Sequence, residues 1–310
     1  MKQNTILLSA IIASIITLAA DFPTHSFTPK TEAELGKQLF FDPILSGDQS
    51  ISCGSCHKPE YGFADNVPFS FGIDSTKTTR NTPTVKNVLA RSRFFWDGRA
   101  NTLEEQALKP IENPDEMNLP ISVAVERLNN NPQYRRAFKK IFGRKPDSLN
   151  LAHAIAAYER TLESTYTAWD RFHNGDTKAM SASAQRGREL FLEKANCFEC
   201  HFGPDFTIDE MVNIGIYDEV NYTDKGLGTI TGNPADNGKF KVPGLRNIIK
   251  TAPYMHNGMF ATLRDVIEYY NNPDSIIPNA VNVDPRLRKP LHLTEQEKQD
   301  LEAFLIALSD

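Results

Sequence analysis

The sequence has few cysteines, no long hydrophobic run and no strong excess of charge of one sign. Its 310 residues contain four cysteines, all of which fall in two motifs described below, so no structural disulfide is expected. The longest apolar run, Ile6 to Leu18, is too short and too rich in serine and alanine for a membrane-spanning helix. Lys and Arg total 34 against 39 Asp and Glu, and the formal net charge of −5 argues against nucleic-acid binding.

Residues 1–20 have the pattern of a secretory signal peptide. Lys2 precedes the apolar run, and Ala19-Ala20 provide small residues at its end. No cysteine lies near residue 20, which excludes a lipoprotein, and an uncleaved membrane anchor is the alternative interpretation. We therefore expect an exported, periplasmic protein whose remaining chain is long enough for two domains.

Two motifs of the form Cys-x-x-Cys-His organise the chain. They are Cys53-Gly54-Ser55-Cys56-His57 and Cys197-Phe198-Glu199-Cys200-His201. This spacing is the attachment signature of a c-type haem, in which two thiols add to the vinyl groups of the porphyrin and the histidine coordinates the iron. A thiol redox pair followed by a chance histidine is one alternative, and half of a zinc site, which needs two more soft ligands, is another. We predict two covalently bound haems.

The surroundings of the two motifs are related, which indicates an internal duplication. Similar helical patterns, 31–40 and 183–191, precede the motifs, and an amphipathic helix is predicted over 151–162. Downstream, Pro83, Val85, Asn87, Gly98, Thr102 and Leu103 correspond at a constant offset of 160 to Pro243, Leu245, Asn247, Gly258, Thr262 and Leu263. Strand signals are sparse. The sequence therefore predicts a mainly α fold of two cytochrome c-like domains, residues 21–172 and 173–310, each with one haem.

The two halves differ at one position that could provide an iron ligand. Tyr270 lies on a predicted helix over 263–270, and the offset of 160 places Pro110 at the matching position of the first half. A phenol can ligate iron and a proline cannot, so the first iron would keep an open or water-bound position. The alternative is that Tyr270 is an ordinary core aromatic, which is the commoner role of a tyrosine at helical spacing.

The sequence resembles the bacterial dihaem cytochrome c peroxidase family, including its MauG-like branch, over nearly the whole mature chain. The motifs that carry this resemblance are Arg80-Asn81-Thr82-Pro83-Thr84-Val85, Phe95-Trp96-Asp97-Gly98-Arg99, Leu103-Glu104-Glu105-Gln106-Ala107, Asn113-Pro114-Asp115-Glu116-Met117, Leu245-Arg246-Asn247 and Pro253-Tyr254-Met255-His256-Asn257-Gly258. The resemblance implies an enzyme that reduces hydrogen peroxide to water with electrons from a small cytochrome c or copper protein. Dimers are common in the family, so a homodimer is also allowed.

The resemblance implies a peroxide pocket at the first haem. Glu116 matches the glutamate that moves a proton between the two peroxide oxygens, Gln106 matches the pocket glutamine, and Pro110 matches the proline above the open iron. Trp96 matches the tryptophan that lies between the two haems. Without the resemblance, Glu116 would be interpreted as a loop acid and Trp96 as an ordinary buried aromatic.

The resemblance also implies a calcium ion between the two domains. Asn81, Thr251 and Pro253 match the family's calcium site, in which carbonyl and amide oxygens suit a hard cation. His256 matches a residue near the second haem that would hydrogen-bond rather than ligate.

Two departures from the peroxidases that need prior reduction favour the MauG-like branch. Ile73 stands where those enzymes carry a histidine that caps the first iron, and Tyr270 stands where they present a methionine to the second. Phenolate ligation favours ferric or higher states, so the resemblance implies reaction with peroxide in the diferric state, through a high-valent dihaem intermediate. Two alternatives remain: an oxidase that modifies residues of a partner protein, and an electron carrier without catalytic activity.

Overall fold

The computed structural model describes residues 28–310, so the predicted signal peptide lies outside the described residues. Within this range the chain is mainly helical, as predicted, with two strands of two residues each. The helices are α1 (Glu32–Phe41), α2 (Cys53–Cys56), α3 (Leu103–Glu112), α4 (Ile121–Asn130), α5 (Pro132–Phe142), α6 (Ser148–Glu159), α7 (Ala168–His173), α8 (Ala182–Leu192), α9 (Leu227–Thr231), α10 (Leu263–Asn271) and α11 (Glu295–Ile306). Strands β1 (Met211–Val212) and β2 (Phe240–Lys241) pair antiparallel. None of the helices in residues 28–310 has the length and apolar character needed to cross a membrane.

In the first half, α1 packs closely against α6. Thr31 caps α1 by accepting a hydrogen bond from the backbone N–H of Glu34, and apolar side chains on one face of the helix are buried. A Cβ on Gly36 would lie 1.8 Å from the carbonyl oxygen of Ala154, so only glycine permits this approach of the two helices. A buried cluster surrounds the contact and includes Leu35, Leu39, Phe40, Leu128, Phe138, Leu151 and Ile155.

In the second half, α8 and α11 pack in the same way. A Cβ on Gly187 would lie 1.8 Å from the carbonyl oxygen of Asp300. A separate buried cluster forms around these helices and includes Phe191, Phe206, Leu263, Ile267, Tyr269, Leu301 and Phe304. The described chain thus has one main apolar core in each half, and each core backs onto one Cys-x-x-Cys-His motif.

The backbone repeats at the offset of 160 found in the sequence. Phe94 bridges Ala100, and Tyr254 bridges Phe260, in two isolated antiparallel bridges. Left-handed backbone conformations occur at matching places, namely Asn87 with Asn247, Phe95 with Met255, and Gly98 with Gly258. The matching helices α3 and α10 both begin after a threonine that caps the helix. The segments that lead into α3 and α10 therefore have the same local geometry in both halves.

Candidate functional site

A cavity of about 430 Å³ lies where the two halves meet, and both Cys-x-x-Cys-His motifs contribute to its walls. Residues predicted from the sequence that line it are Cys56, His57, Asn81, Trp96, Gln106, Pro110, Glu116, Cys197, Cys200, His201, Thr251, Pro253, His256 and Tyr270. A smaller cavity of about 50 Å³ adjoins the first motif, and Cys53 is in its wall together with His57, Gln106, Pro110 and Glu116. The structure therefore brings together every residue that the sequence proposed for the haem, peroxide and calcium sites.

Both motif histidines are held in one orientation by backbone carbonyls. The Nδ1 of His57 lies 3.0 Å from the carbonyl oxygen of Phe63, and the Nδ1 of His201 lies 2.9 Å from that of Phe206. Because a carbonyl can only accept, the proton of each neutral ring is on Nδ1 and the Nε2 lone pair is available to a metal. Burial lowers the pKa of both imidazoles, that of His201 to about 4, which favours the neutral, ligating form.

The four cysteines are unpaired thiols in the cavity walls. Burial raises the pKa of each thiol, that of Cys197 to about 12, so they remain protonated at neutral pH. A redox-active pair would have the opposite shift, because it needs a stabilised thiolate. Residues 28–310 contain no cluster of three or more His, Cys, Asp or Glu side chains that could hold a metal ion, which argues against the zinc alternative.

Pro110, Gln106 and Glu116 gather beside the first motif. Pro110 and Gln106 are on α3, and Glu116 follows that helix in a turn closed by the hydrogen bond from its N–H to the carbonyl of Asn113. The Nδ2 of Asn113 donates to the Glu116 carboxyl at 2.8 Å, yet burial is the larger effect and raises its pKa. The Oε1 of Gln106 is buried without a hydrogen-bond partner among the described residues. An unpaired acceptor of this kind fits a pocket built to bind a polar ligand.

Ile73, at the position predicted for a capping histidine, has no atom that can ligate a metal. Its side chain is buried, and its backbone N–H donates to the carbonyl oxygen of Glu116 at 2.9 Å. The loop is thus fixed to the same segment that carries Glu116, with an apolar side chain in the predicted cap position.

Tyr270 lies on α10 in the same cavity as the second motif. Burial is the main cause that raises its pKa, and Cys197 and Cys200 line the same cavity as the phenol. No described residue hydrogen-bonds to the Tyr270 hydroxyl, whereas its neighbour Tyr269 donates to the carbonyl of Ile214 at 2.6 Å. A half-buried phenol in a cavity wall, with no hydrogen-bond partner among the described residues, is free to ligate a metal, so its position suits an iron ligand at the second motif.

Trp96 connects the two halves in the cavity wall. Its Nε1–H donates to the carbonyl of Asn81 at 2.8 Å, and its own carbonyl accepts from the N–H of Lys241 at 2.7 Å. Its ring lies 6.5 Å from that of His256, which stacks on Phe240 at 3.7 Å. Burial lowers the pKa of His256 to about 4, so this ring is neutral. The indole is therefore fixed between the walls that carry the two motifs.

The three residues predicted for calcium, Asn81, Thr251 and Pro253, all line this cavity. The N–H of Asn81 donates to the carbonyl of His256 at 2.7 Å, and its Nδ2 donates to the carbonyls of Val67 and Pro68. These bonds use the donors of Asn81 and leave its Oδ1 for a cation, as the chemistry of a calcium ligand requires. Thr251 and Pro253 can offer hydroxyl and carbonyl oxygens in the same cavity.

Sequence reasoning missed two titratable residues in the cavity wall. Glu159, the last residue of α6, is 3% exposed, and Lys241 on β2 has its pKa lowered to about 8 by burial. The signal for Glu159 was an acid within the otherwise apolar helix predicted over 151–162. No comparable sequence signal marks Lys241.

The residues present fit a haem at each motif. Each site combines two protonated thiols, an imidazole with its Nε2 free, and apolar walls from its own core. The two sites differ on the other side, where the first has Pro110 with Gln106 and Glu116, and the second has Tyr270.

Comparison with known proteins agrees with this arrangement. Residues 30–178 match the family model described as di-haem cytochrome c peroxidase. The chain is 39% identical over 306 residues to cytochrome-c peroxidase IdrP1 of Pseudomonas sp. strain SCT, covering 89% of this chain and 80% of the relative. It is 38% identical to methylamine utilization protein MauG of Methylorubrum extorquens, covering 92% of this chain and 79% of that protein. Among solved structures, a MauG-like protein associated with microbial copper homeostasis superposes with a TM-score of 0.82 at 32% identity, covering 93% of this chain and 92% of the other. The chain therefore belongs to the dihaem cytochrome c peroxidase family of oxidoreductases.

Proposed function

We propose that this protein is an exported dihaem peroxidase of the MauG-like type, which reduces hydrogen peroxide to water with electrons from a small cytochrome or copper protein. The observation that carries the proposal is the difference between the two sites. Pro110 offers no ligand beside the first motif, whereas the phenol of Tyr270 is available beside the second. One site can therefore bind peroxide while the other holds charge. With no histidine at the position of Ile73, the enzyme reacts with peroxide while both irons are ferric.

We assign the first haem to Cys53, Cys56 and His57 and the second to Cys197, Cys200, His201 and Tyr270. The two cytochrome c-like domains are residues 21–172 and 173–310. The repeat of the backbone at an offset of 160 supports their origin by duplication. The signal-peptide pattern of residues 1–20 supports export to the periplasm.

Glu116 transfers the proton that peroxide cleavage requires. When bound, the first haem supplies the iron that exchanges electrons with peroxide. The Glu116 carboxylate accepts the proton from one peroxide oxygen and delivers it to the other, which leaves as water. Its raised pKa suits this double role, because the group must both accept and release a proton near neutral pH. Two electrons from the redox partner and two protons from solvent balance the conversion of one peroxide to two waters.

Gln106 and Trp96 have supporting roles. The unpaired Oε1 of Gln106 accepts the hydrogen bond of the peroxide O–H and orients it toward Glu116. Trp96, fixed between the two halves by its bonds to Asn81 and Lys241, provides the route for electrons between the two sites.

Calcium is proposed at Asn81, Thr251 and Pro253, where it would hold the two halves together beside Trp96. The free Oδ1 of Asn81 and the oxygen donors of the other two residues support this assignment.

A second candidate function is a MauG-like oxidase that modifies residues of a partner protein. The phenol of Tyr270 and the similarity to MauG favour it. Measuring turnover with a small cytochrome or copper protein distinguishes the peroxidase from the modifying oxidase, because a modifying enzyme would oxidise such donors poorly. The third alternative, a pure electron carrier, requires a ligand on both irons, and Pro110 argues against it.

The variant Glu116→Gln tests the proton transfer. Loss of a general acid–base group is expected to slow the reaction of the diferric protein with hydrogen peroxide by about 10²–10⁴-fold. Stopped-flow absorption spectroscopy of the holoprotein measures this rate. Glu112→Gln is the matched control, because Glu112 is an exposed acid at the end of α3 and should leave the rate unchanged. An unchanged rate in Glu116→Gln would remove the acid–base assignment.

A further inference from the structure

Glu159 is a buried acid beside the first motif that the proposed mechanism does not use. It is 3% exposed, and its Oε2 has no hydrogen-bond partner among the described residues. The residue lines both cavities, together with Gln106 and Pro110. Burial raises the pKa of the Cys53 thiol, and the charge of Glu159 raises it further, so the carboxyl lies within electrostatic reach of the haem-attachment residues. A buried carboxyl without a partner is costly, which suggests a role other than packing.

The second half has no acid at the matching place. The packed helix pairs align through equivalent contacts, Gly36 with Ala154 and Tyr158 in the first half, and Gly187 with Asp300 and Phe304 in the second. Both alignments give an offset of 146, which places Leu305 opposite Glu159. Leu305 is buried and lines the cavity of the second motif. An acid in one half and leucine in the other means that the common scaffold does not require the carboxyl.

Burial and nearby charges move the pKa of the Glu159 carboxyl into the range in which it can gain or lose a proton near neutral pH. Burial raises its pKa to about 8, Arg160 acts to lower the pKa, and Glu104 on α3 acts to raise it. Arg160 is already paired with both oxygens of Glu104 at 2.7 and 3.0 Å, which weakens its effect on Glu159. Helices α1 and α4 also pack against α6, but no charged side chain described on them acts on this carboxyl. A small change in the nearby charge can therefore change its protonation.

We propose that Glu159 takes up one proton when the iron of the first haem is reduced and releases it when that iron is oxidised. The electron comes from the redox partner and converts ferric to ferrous iron. The proton comes from solvent and converts the carboxylate to the carboxylic acid. In a low-dielectric site, the proton compensates the charge of the added electron and makes reduction less unfavourable. The inference rests on the proposed assignment of a haem to the first motif.

Spectroelectrochemical titration of the holoprotein at several pH values tests the coupling. If one proton is taken up per electron, the equilibrium constant for reduction changes tenfold per pH unit. For a one-electron couple, the reduction potential then changes by 59 mV per pH unit. The reduction potential of the first haem is expected to fall with this slope as pH rises from the pKa of Glu159 in the ferric state to its higher pKa in the ferrous state. The second haem, with Leu305 at the matching place, is the internal reference and should have a smaller slope.

Two variants decide the assignment. In Glu159→Gln the slope of the first haem is expected to fall toward that of the second haem, because an amide cannot titrate, while Glu116 remains in the pocket. Glu159→Leu should give the same result and should fold, since the second half already has leucine there. A haem-content assay on each purified variant confirms that both haems are attached.

If either variant keeps the wild-type slope, Glu159 is not the coupled group and the inference is wrong. The peroxide reaction of the wild-type protein is measured separately. A protein that shows the Glu159-dependent slope but ignores peroxide would refute the proposed function and leave this inference standing.

Discussion

The side chain of Arg246 is expected to stabilise the second half by holding α7 against the loop that follows the second motif. Its guanidinium donates to both carboxylate oxygens of Asp170 on α7 at 2.8 Å, and its Nε donates to the carbonyl of Pro204 at 2.7 Å. Both charged side chains are largely buried. The loop continues to Phe206, whose carbonyl accepts the hydrogen bond that orients His201. We expect Arg246→Gln to destabilise this half of the protein.

The expected loss follows from the protonation of Asp170. Burial acts to raise its pKa, but hydrogen bonds from Arg246 and Thr167 outweigh burial and lower the pKa from 3.8 to about 2. At 1.36 kcal/mol per pKa unit, these interactions stabilise the ionised carboxylate by about 2 kcal/mol. Because the pKa is lower in the folded than in the unfolded state, this stability is present above pH 3.8 and is lost as pH falls toward 2. Arg246→Gln should therefore lower the free energy of unfolding by about 2 kcal/mol at neutral pH.

The chain offers a matched control at the protein surface. Arg186 makes the same two-bond contact with Asp300, at 2.7 Å for both bonds, but its side chain is 56% exposed. Solvent screens an exposed pair, so Arg186→Gln should cost much less than Arg246→Gln.

Urea unfolding of the holoprotein, followed by tryptophan fluorescence or circular dichroism, measures both losses at pH 7 and at acidic pH. Equal losses for the two variants at pH 7 would refute the reasoning. So would a loss in Arg246→Gln that does not shrink as Asp170 becomes protonated.

Two further predictions concern the iron ligand and the helix packing. Tyr270→Met should raise the reduction potential of the second haem by a substantial part of the ~0.8 V that axial ligands span, because a thioether favours ferrous iron. Spectroelectrochemistry measures this potential, and an unchanged value would contradict ligation by Tyr270. Gly187→Ala should lower the free energy of unfolding by about 1–3 kcal/mol or more, since the new Cβ would lie 1.8 Å from the carbonyl oxygen of Asp300. Thermal unfolding tests this, and wild-type stability would show that α8 and α11 can separate without cost.

The helices were predictable where caps and periodicity coincide. The patterns at 31–40, 183–191 and 263–270 match α1, α8 and α10 within about two residues, because Thr31 and Thr262 cap helices whose apolar spacing is regular. The helix predicted over 151–162 begins three residues earlier, at Ser148, because Asp147 caps it, and ends at Glu159. Helices α4 and α5 were not predicted, although Asn131 and Pro132 mark the start of α5.

The candidate site was predictable only where its residues are close in the sequence. The two motifs have a fixed local spacing, so the thiols and histidines could be identified without a structure. The carbonyls of Phe63 and Phe206 that orient the histidines could not, because any residue has a carbonyl and only the loop path brings it into place. The contacts of Trp96 with Asn81 and Lys241 depend on how distant segments pack, which periodicity does not encode.

Some differences between the two sites are side chains at positions where the backbone repeats. The same bridges, left-handed residues and capped helices recur in the segments that lead into α3 and α10, so this part of the scaffold does not distinguish the two sites. Under the proposed assignments, the first half has Pro110 where the second half has the iron ligand Tyr270, and it has the acid Glu159 where the second half has Leu305. Both differences between the halves concern the first pocket, because they would leave it an open coordination position and a buried acid. Peroxide reduction consumes protons as well as electrons, so one pocket that combines vacancy with proton supply is the arrangement this reaction requires.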